Sequence, residues 1–151
     1  MTKIKKLFYL FFPIVAGTII GLITRNSMNY NSMVKPSFSP PGYVFPIVWS
    51  ILYLLMGYSY YLFKKEYPEE TKTESIIYYS QLFVNLTWSI FFFVVNAYLF
   101  TVVWTIILLV LIITFIILML KKNKASAYLN IPYVLWVAFA LFLTIRIFML
   151  N

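Results

Sequence analysis

Five apolar stretches, each long enough to cross a bilayer as a helix, restrict what this sequence can fold into. They cover approximately residues 7–24, 44–63, 76–95, 99–120 and 128–150. A hydrocarbon core of about 30 Å takes about 20 helical residues to cross. Because lipid offers no partners for free backbone N–H and C=O groups, helix is the expected backbone. The sequence therefore predicts an all-α membrane protein with a single domain (1–151), built as a bundle of five transmembrane helices.

The composition excludes a soluble enzyme and most side-chain chemistry. Hydrophobic residues make up 63% of the chain and charged residues 11%, whereas an ordinary soluble domain is about 25% charged. The sequence contains no His, Cys or Asp, and its four Glu all lie within residues 66–74. Disulfides, thiolate nucleophiles and imidazole acid–base chemistry are therefore excluded, and we expect no metal site and no obligatory cofactor. Function has to come from shape, aromatic surface, neutral polar groups and a few cations.

The distribution of Lys and Arg predicts how the bundle is oriented. Nine lysines flank the spans on one side of the membrane, namely Lys3, Lys5, Lys6, Lys64, Lys65, Lys72, Lys121, Lys122 and Lys124. The other side has only Arg25, Lys35 and Arg146. The positive-inside rule then predicts a cytoplasmic N-terminus and an integral protein of a bacterial cytoplasmic (plasma) membrane. The cations are scattered over short loops rather than clustered in one stripe, so we expect no nucleic-acid partner.

The first connection, residues 25–43, is unlike the other three. It is long for a loop without its own helix, and loops of that kind are commonly functional. Its prolines favour an ordered, extended path. We therefore predict a lid over one end of the bundle, with Lys35, Pro36, Phe38, Pro40 and Pro41 as its residues.

Three helices carry stripes of aromatic and neutral polar side chains at helical spacing. These are Trp49, Tyr53, Met56 and Tyr60; Gln81, Asn85, Trp88 and Phe92; and Tyr133, Trp136, Ala140 and Leu143. Uncharged amides at membrane depth should face the bundle, because burying them without partners is costly. From the residues alone, two readings remain open: ordinary helix packing with amide contacts, or a pocket for a large, flat, apolar ligand. The ligand-binding candidates are Trp49, Tyr53, Gln81, Asn85, Trp88, Trp136 and Ala140, and carboxylates of a ligand would meet Lys35 or Arg25 at the rim.

Three segments together resemble the TspO/MBR family, the translocator proteins and tryptophan-rich sensory proteins. They are the loop and second-helix segment Lys35-Pro-Ser-Phe-Ser-Pro-Pro41 with Val44-Phe-Pro-Ile-Val-Trp49, the segment Gln81–Phe92, and the segment Ile131–Ala140. The resemblance implies a five-helix bundle, often a homodimer, with a pocket that the first loop closes. It also implies protoporphyrin IX or haem as ligand. By motif position, Trp49 and Trp136 match tryptophans linked to porphyrin binding and its light-dependent breakdown.

The sequence departs from the family pattern at three places. Phe38 stands where the family's loop has Trp, and Thr105 lies in a region of the fourth helix where the family often has Asp. No Tyr precedes Arg146 in the manner of the family's sterol pattern, so we do not expect sterol binding. The pair Gly17 and Gly21 fits either a dimer face or packing within one chain.

The function predicted first is a membrane tetrapyrrole-binding protein that acts as sensor, scavenger or regulator of porphyrin levels. The first alternative is a Trp-dependent photo-oxidative enzyme that degrades porphyrin, with Trp49 and Trp136 as its catalytic residues. The second alternative is a porphyrin or lipophile transporter, although no internal repeat or coupling-ion site is visible in the sequence.

Overall fold

The computed structural model describes residues 1–27, 30–69 and 71–151. Within these ranges the chain is helical and contains no β-strand, and five helical spans are long and apolar enough to cross a membrane. The predicted all-α, five-span fold is confirmed, whereas the orientation of the bundle stays a prediction. Residues 28 and 29 of the predicted lid lie outside the described residues.

The helices run further than the apolar stretches at one end of the bundle. Their bounds are α1 Lys3–Thr24, α2 Val44–Glu66, α3 Lys72–Ser89, α4 Tyr98–Lys122, α5 Lys124–Tyr128 and α6 Ile131–Leu150. The extra residues are mainly lysines, and they continue the backbone hydrogen bonding after the apolar sequence has ended. We call this the lysine-rich end, formed by the start of α1, the α2–α3 loop and the α4–α5 connection. The opposite end, where residues 25–43 join α1 to α2, is called the loop-one end.

The last span is two helices rather than the single one predicted over residues 128–150. Leu129 and Asn130 separate α5 from α6, and Pro132 lies in the first turn of α6. Because proline has no N–H, Pro132 could not donate to a carbonyl four residues earlier in a continuous helix, and it is tolerated in the first turn of a new one. The Asn130 side chain donates to Ser59 Oγ at 2.8 Å and to the Ser126 carbonyl at 2.9 Å. The hydrogen bond to Ser59 holds the break against α2.

A π-helical turn, Ile90–Val94, follows α3 and shifts the register of its buried face. Its hydrogen bond runs from Val95 N to Ile90 O at 2.9 Å. In a regular α-helix, neighbouring side chains point about 100° apart. The π-helical turn contains one extra residue, so the adjacent side chains of Phe92 and Phe93 are both buried.

Helix α1 packs mainly along α2, and α4 contacts α3, α5 and α6. Only Pro13 and Thr24 of α1 are buried, so this helix lies at the surface of the bundle. Gly57 permits the close approach of α1 to α2, because a Cβ there would overlap the backbone carbonyl of Leu10. The two helices are thus in contact near the lysine-rich end.

Candidate functional site

A cavity of about 510 Å³ lies between α1, α2 and α3 and reaches the loop-one end. Its volume is within the range of sites for drug-sized ligands. Its side walls are Gly17, Thr18, Ile20, Gly21, Leu22 and Arg25 on one side and Phe45, Pro46, Trp49, Ser50, Tyr53, Asn85, Trp88, Ser89 and Phe93 on the other. Tyr30, Asn31 and Gly42 of the first loop complete the lining.

Two glycines of α1 explain why there is space here. A Cβ on Gly17 would overlap the Tyr53 ring, so α1 touches α2 at this level. One turn later, a Cβ on Gly21 would meet nothing within 4 Å. The helices are therefore in contact at Gly17 and separated at Gly21, and the cavity occupies the gap. Gly17 packs within the chain, as one of the two readings of this glycine pair predicted.

A chain of hydrogen bonds begins at the inner wall of the cavity, with Tyr53 and Asn85, and continues behind it. The Tyr53 hydroxyl donates to Asn85 Oδ1 at 2.6 Å, and Asn85 Nδ2 donates to the Tyr133 hydroxyl at 2.7 Å. Tyr133 in turn donates to Gln81 Oε1 at 2.7 Å, and Gln81 Nε2 contacts Met56 Sδ at 3.4 Å. The network joins α2, α3 and α6 through side chains that have no net charge.

Both amides of α3 face the bundle, as their spacing predicted. Gln81 and Asn85 are each only 2% exposed. Asn85 lines the cavity, and its two hydrogen bonds leave one Nδ2 hydrogen and one Oδ1 lone pair without a partner in this network. It can therefore orient a polar group of a ligand without losing either tyrosine.

Trp49 is the centre of the aromatic wall. The centroid of its ring lies 5.9 Å from that of Tyr53 at an interplanar angle of 25°, and 6.1 Å from that of Trp88. Edge-to-face contacts join it to Trp136 at 6.3 Å and to Tyr133 at 6.4 Å. These distances are those of stabilising aromatic pairs. Trp49 thus presents one ring to the cavity and is held in place by four others.

Trp88 is held by a hydrogen bond that points away from the cavity. Its Nε1 donates to Thr105 Oγ1 at 2.6 Å, and Thr105 donates to the Thr101 carbonyl at 2.6 Å. The hydroxyl of Thr105 thus supplies the acceptor for the indole. The Trp88 ring is fixed as a wall of the cavity, and its polar atom is not available to a ligand there.

Three predicted ligand-binding residues lie outside the cavity lining. Gln81 lies behind the lining, where it accepts a hydrogen bond from the Tyr133 hydroxyl. Ala140 is buried in the cluster that contains Trp88 and Phe92. Trp136 packs edge-on against Phe45, with ring centroids 5.8 Å apart. Its Nε1 is buried without a hydrogen-bond partner. These residues support the wall from behind, whereas Trp49, Tyr53, Asn85 and Trp88 line the cavity itself.

The first loop is tied down around Tyr30. The Tyr30 hydroxyl donates to the Pro40 carbonyl at 2.7 Å, and Lys35 Nζ donates to the Tyr30 carbonyl at 2.7 Å. Burial raises the pKa of the Tyr30 hydroxyl. The side chain of Asn151 holds both backbone groups of Val34, accepting from its N at 3.3 Å and donating to its O at 2.8 Å.

The predicted lid residues hold the loop rather than line the cavity. None of Lys35, Pro36, Phe38, Pro40 and Pro41 is among the described lining residues; the loop contributes Tyr30, Asn31 and Gly42 instead. The Phe38 ring stacks on that of Phe142, with centroids 5.2 Å apart. Lys35 Nζ lies 4.5 Å from the centre of the Tyr30 ring. Arg25 is the one charged residue in the described lining, and it supplies the cation predicted at the rim.

Sequence reasoning did not single out Tyr30, Phe45 and Phe93 as lining residues. Phe45 precedes Trp49 by one helical turn, so extending the α2 stripe would have found it. Phe93 lies off the α3 stripe and is brought in by the π-helical turn. Tyr30 begins a short 3₁₀ turn in the first loop, Tyr30–Ser32, which is too short for helical periodicity to be recognised in the sequence.

The model of the TspO/MBR family matches residues 9–150. The chain belongs to the TspO/MBR family. It is 33% identical over 127 residues to the tryptophan-rich protein TspO of Chlorobaculum tepidum, covering 83% of this chain and 80% of that protein. It is 35% identical to the Bacillus cereus protein of the same name over 125 residues, covering 81% and 80%.

The relatives also include animal proteins. Translocator protein 2 of the dog is 28% identical over 130 residues, covering 82% of this chain and 76% of that protein. The TspO/MBR match and the five apolar spans together show an integral membrane protein. Within this TspO/MBR chain, the cavity contains residues from the second-helix segment (Phe45, Pro46 and Trp49) and the third-helix segment (Asn85, Trp88 and Ser89) that carried the resemblance.

Proposed function

We propose that this protein binds protoporphyrin IX or haem in the cavity between α1, α2 and α3, and so acts as a sensor, scavenger or regulator of porphyrin levels. The observation that carries the proposal is the wall built from Trp49, Tyr53 and Trp88 with Asn85 between them. Flat aromatic rings bind such a wall by stacking and edge contacts. Arg25 at the mouth suits the propionate groups of a tetrapyrrole.

Binding would depend on the ring of the ligand rather than on a metal. The sequence has no His and no Cys, which are frequent axial ligands of haem iron. The two tyrosine hydroxyls of the described lining already donate within the protein, Tyr53 to Asn85 Oδ1 and Tyr30 to the Pro40 carbonyl. Metal-free protoporphyrin IX and haem should therefore bind with similar affinity.

The test is a titration of the purified protein with protoporphyrin IX, followed by quenching of tryptophan fluorescence. Trp49→Phe should weaken binding several-fold, because it removes the central ring of the wall. Trp104→Phe is the matched control: its indole donates to the Val84 carbonyl at 3.1 Å and to Thr87 Oγ1 at 2.9 Å, outside the cavity lining. Absence of saturable quenching, or equal affinity of wild type and Trp49→Phe, would refute the proposal.

Photo-oxidative degradation of the bound porphyrin is the second candidate, favoured by the four aromatic neighbours of Trp49. If Trp49 donated an electron to a light-excited porphyrin, the oxidised Trp49 could be reduced again by an electron from Trp136 or Trp88, whose ring centroids are 6.3 and 6.1 Å away. Dioxygen would be the oxidant that opens the ring. Illuminated turnover should then fall in Trp136→Phe while binding persists, because Trp136 does not line the cavity. Bleaching at the rate of free porphyrin in detergent would exclude this activity.

We place the protein in the bacterial cytoplasmic membrane with the lysine-rich end in the cytoplasm, as a homodimer of the kind that the family resemblance implies. Light scattering of the detergent-solubilised chain, with the detergent contribution subtracted, measures the number of copies directly. A monomer at all protein concentrations would contradict the dimer without affecting the binding site.

A further inference from the structure

A second cavity, of about 480 Å³, lies at the lysine-rich end between the start of α1 and the end of α2. It is lined by Met1, Thr2, Lys5, Tyr9, Lys64 and Pro68 and shares no lining residue with the first cavity. Its polar side chains are those of Lys5, Lys64, Thr2 and Tyr9, and its described lining residues include no carboxylate side chain. This donor set suits an anion.

The two lysines have no carboxylate partner in the described ranges. The one salt bridge found there joins Lys122 to Glu74 at 2.6 Å. Lys64 Nζ donates only to neutral oxygens, the Glu69 carbonyl at 3.2 Å and Thr71 Oγ1 at 3.0 Å. The Glu66 carboxylate accepts from Asn123 Nδ2 at 2.7 Å. Among the described residues, neither of the two lysines that line this cavity forms an ion pair.

The position of this cavity favours a lipid over a soluble anion. Lys5 lies in the first turn of α1 and Lys64 in the last turn of α2, where the spans leave the hydrocarbon core. Within two turns of Lys5, α1 also carries four exposed apolar side chains, namely Ile4, Leu7, Phe8 and Phe11. A molecule with its anionic group in the cavity can therefore lay its acyl chains on α1.

We propose that this cavity binds the phosphate of an anionic phospholipid, with Lys5 and Lys64 contacting the phosphate oxygens. Basic pockets between transmembrane helices on the cytoplasmic side hold anionic headgroups in this manner. A zwitterionic lipid carries a cation beside its phosphate, and that cation would be repelled by the two lysines. The site thus selects lipids of net negative charge, and it is independent of the porphyrin site.

Native mass spectrometry of the full chain in neutral detergent, titrated with phosphatidylglycerol, tests the site. We expect one tightly bound lipid in the wild type and about a 30-fold weaker affinity in Lys5→Gln with Lys64→Gln, since each lysine near the surface contributes about fivefold. Lys5→Gln alone should lose about fivefold, and it leaves the contacts of Lys64 with the α2–α3 loop intact. Lys121→Gln with Lys124→Gln is the matched control, because it removes the same charge at the same end but outside the cavity. Its affinity should stay within about twofold of the wild type.

Three results would overturn the proposal. Equal losses in the two double variants would mean diffuse attraction to the whole lysine-rich end. Phosphatidylcholine binding as tightly as phosphatidylglycerol would remove the selectivity for net charge. Displacement of the lipid by inorganic phosphate at millimolar concentration would identify a site for the free ion. Circular dichroism and protoporphyrin IX titration of each variant should match the wild type, which shows that the fold and the first cavity are unchanged.

Discussion

Tyr53 and Asn85 join α2 to α3 at the inner wall of the cavity, through a hydrogen bond of 2.6 Å from the phenol to the amide oxygen. Because Asn85 also donates to Tyr133, the same amide links these helices to α6. A ligand in the cavity meets a wall whose polar groups are already positioned by the protein. The aromatic and amide side chains therefore contribute to stability and to the shape of the site together.

Removal of the Tyr53 hydroxyl should destabilise the bundle. Tyr53→Phe leaves Asn85 Oδ1 without its donor in a buried position, and we expect the free energy of unfolding to fall by about 1 kcal/mol. Tyr58→Phe on the same helix is the control, because its ring is exposed. Unfolding in a mixed detergent titration with a denaturing detergent measures both. A similar small effect of the two substitutions would contradict the role given to this bond.

Substitution by alanine should have different effects on stability at the two glycines of α1. Gly17→Ala should destabilise the protein, because its Cβ would overlap the Tyr53 ring. Gly21→Ala should be neutral or slightly stabilising, because its Cβ enters open space and alanine favours the helix. Thermal unfolding in detergent compares the two.

A larger side chain at Gly21 should weaken porphyrin binding without lowering the stability of the bundle. Gly21→Phe places a ring in the cavity, so porphyrin affinity should fall by at least tenfold while the unfolding temperature changes little. Retained affinity in Gly21→Phe would mean that the ligand lies elsewhere. Ile19→Phe is suitable as the control, since Ile19 is exposed on α1 and is not part of the lining.

The hydrogen bond between Trp88 and Thr105 should appear as coupling in a double-mutant cycle. Trp88→Phe, Thr105→Val and the double variant remove the donor, the acceptor and both. We expect a coupling energy of about 1 kcal/mol in unfolding free energy. Additive effects of the two single substitutions would mean that the bond of 2.6 Å contributes nothing measurable.

The orientation of the bundle can be tested cleanly because the sequence contains no cysteine. Glu69→Cys places a thiol at the lysine-rich end, and Val95→Cys places one in the connection before α4; both positions are exposed. In intact bacterial cells, a membrane-impermeant maleimide should label Val95→Cys and leave Glu69→Cys unlabelled until the cells are opened. The reverse pattern would invert the topology.

Much of the fold follows from local sequence. Spans of apolar residues long enough to cross a bilayer leave helix as the one backbone that satisfies its own polar groups, so the five spans could be predicted without tertiary information. Helical periodicity also placed Gln81, Asn85 and Trp88 on one buried face, because an unpaired amide in lipid is costly. The sequence predicts loops for the lysines at the helix ends, whereas the structure places them in the helices. Composition alone does not show where the backbone hydrogen bonding of a helix ends.

Tertiary contacts decided which parts of those faces form a site. Periodicity assigns a side chain to a face, but the distance to the opposing helix depends on what both helices carry there. Gly17 and Gly21 look alike in sequence, yet only Gly17 meets the Tyr53 ring, and the cavity opens where Gly21 meets nothing. Trp49 and Trp136 likewise share a pattern, but only Trp49 lines the cavity. The sequence by itself determined a five-span bundle with aromatic inner faces, and the spacing between its helices decided where those faces leave room for a ligand.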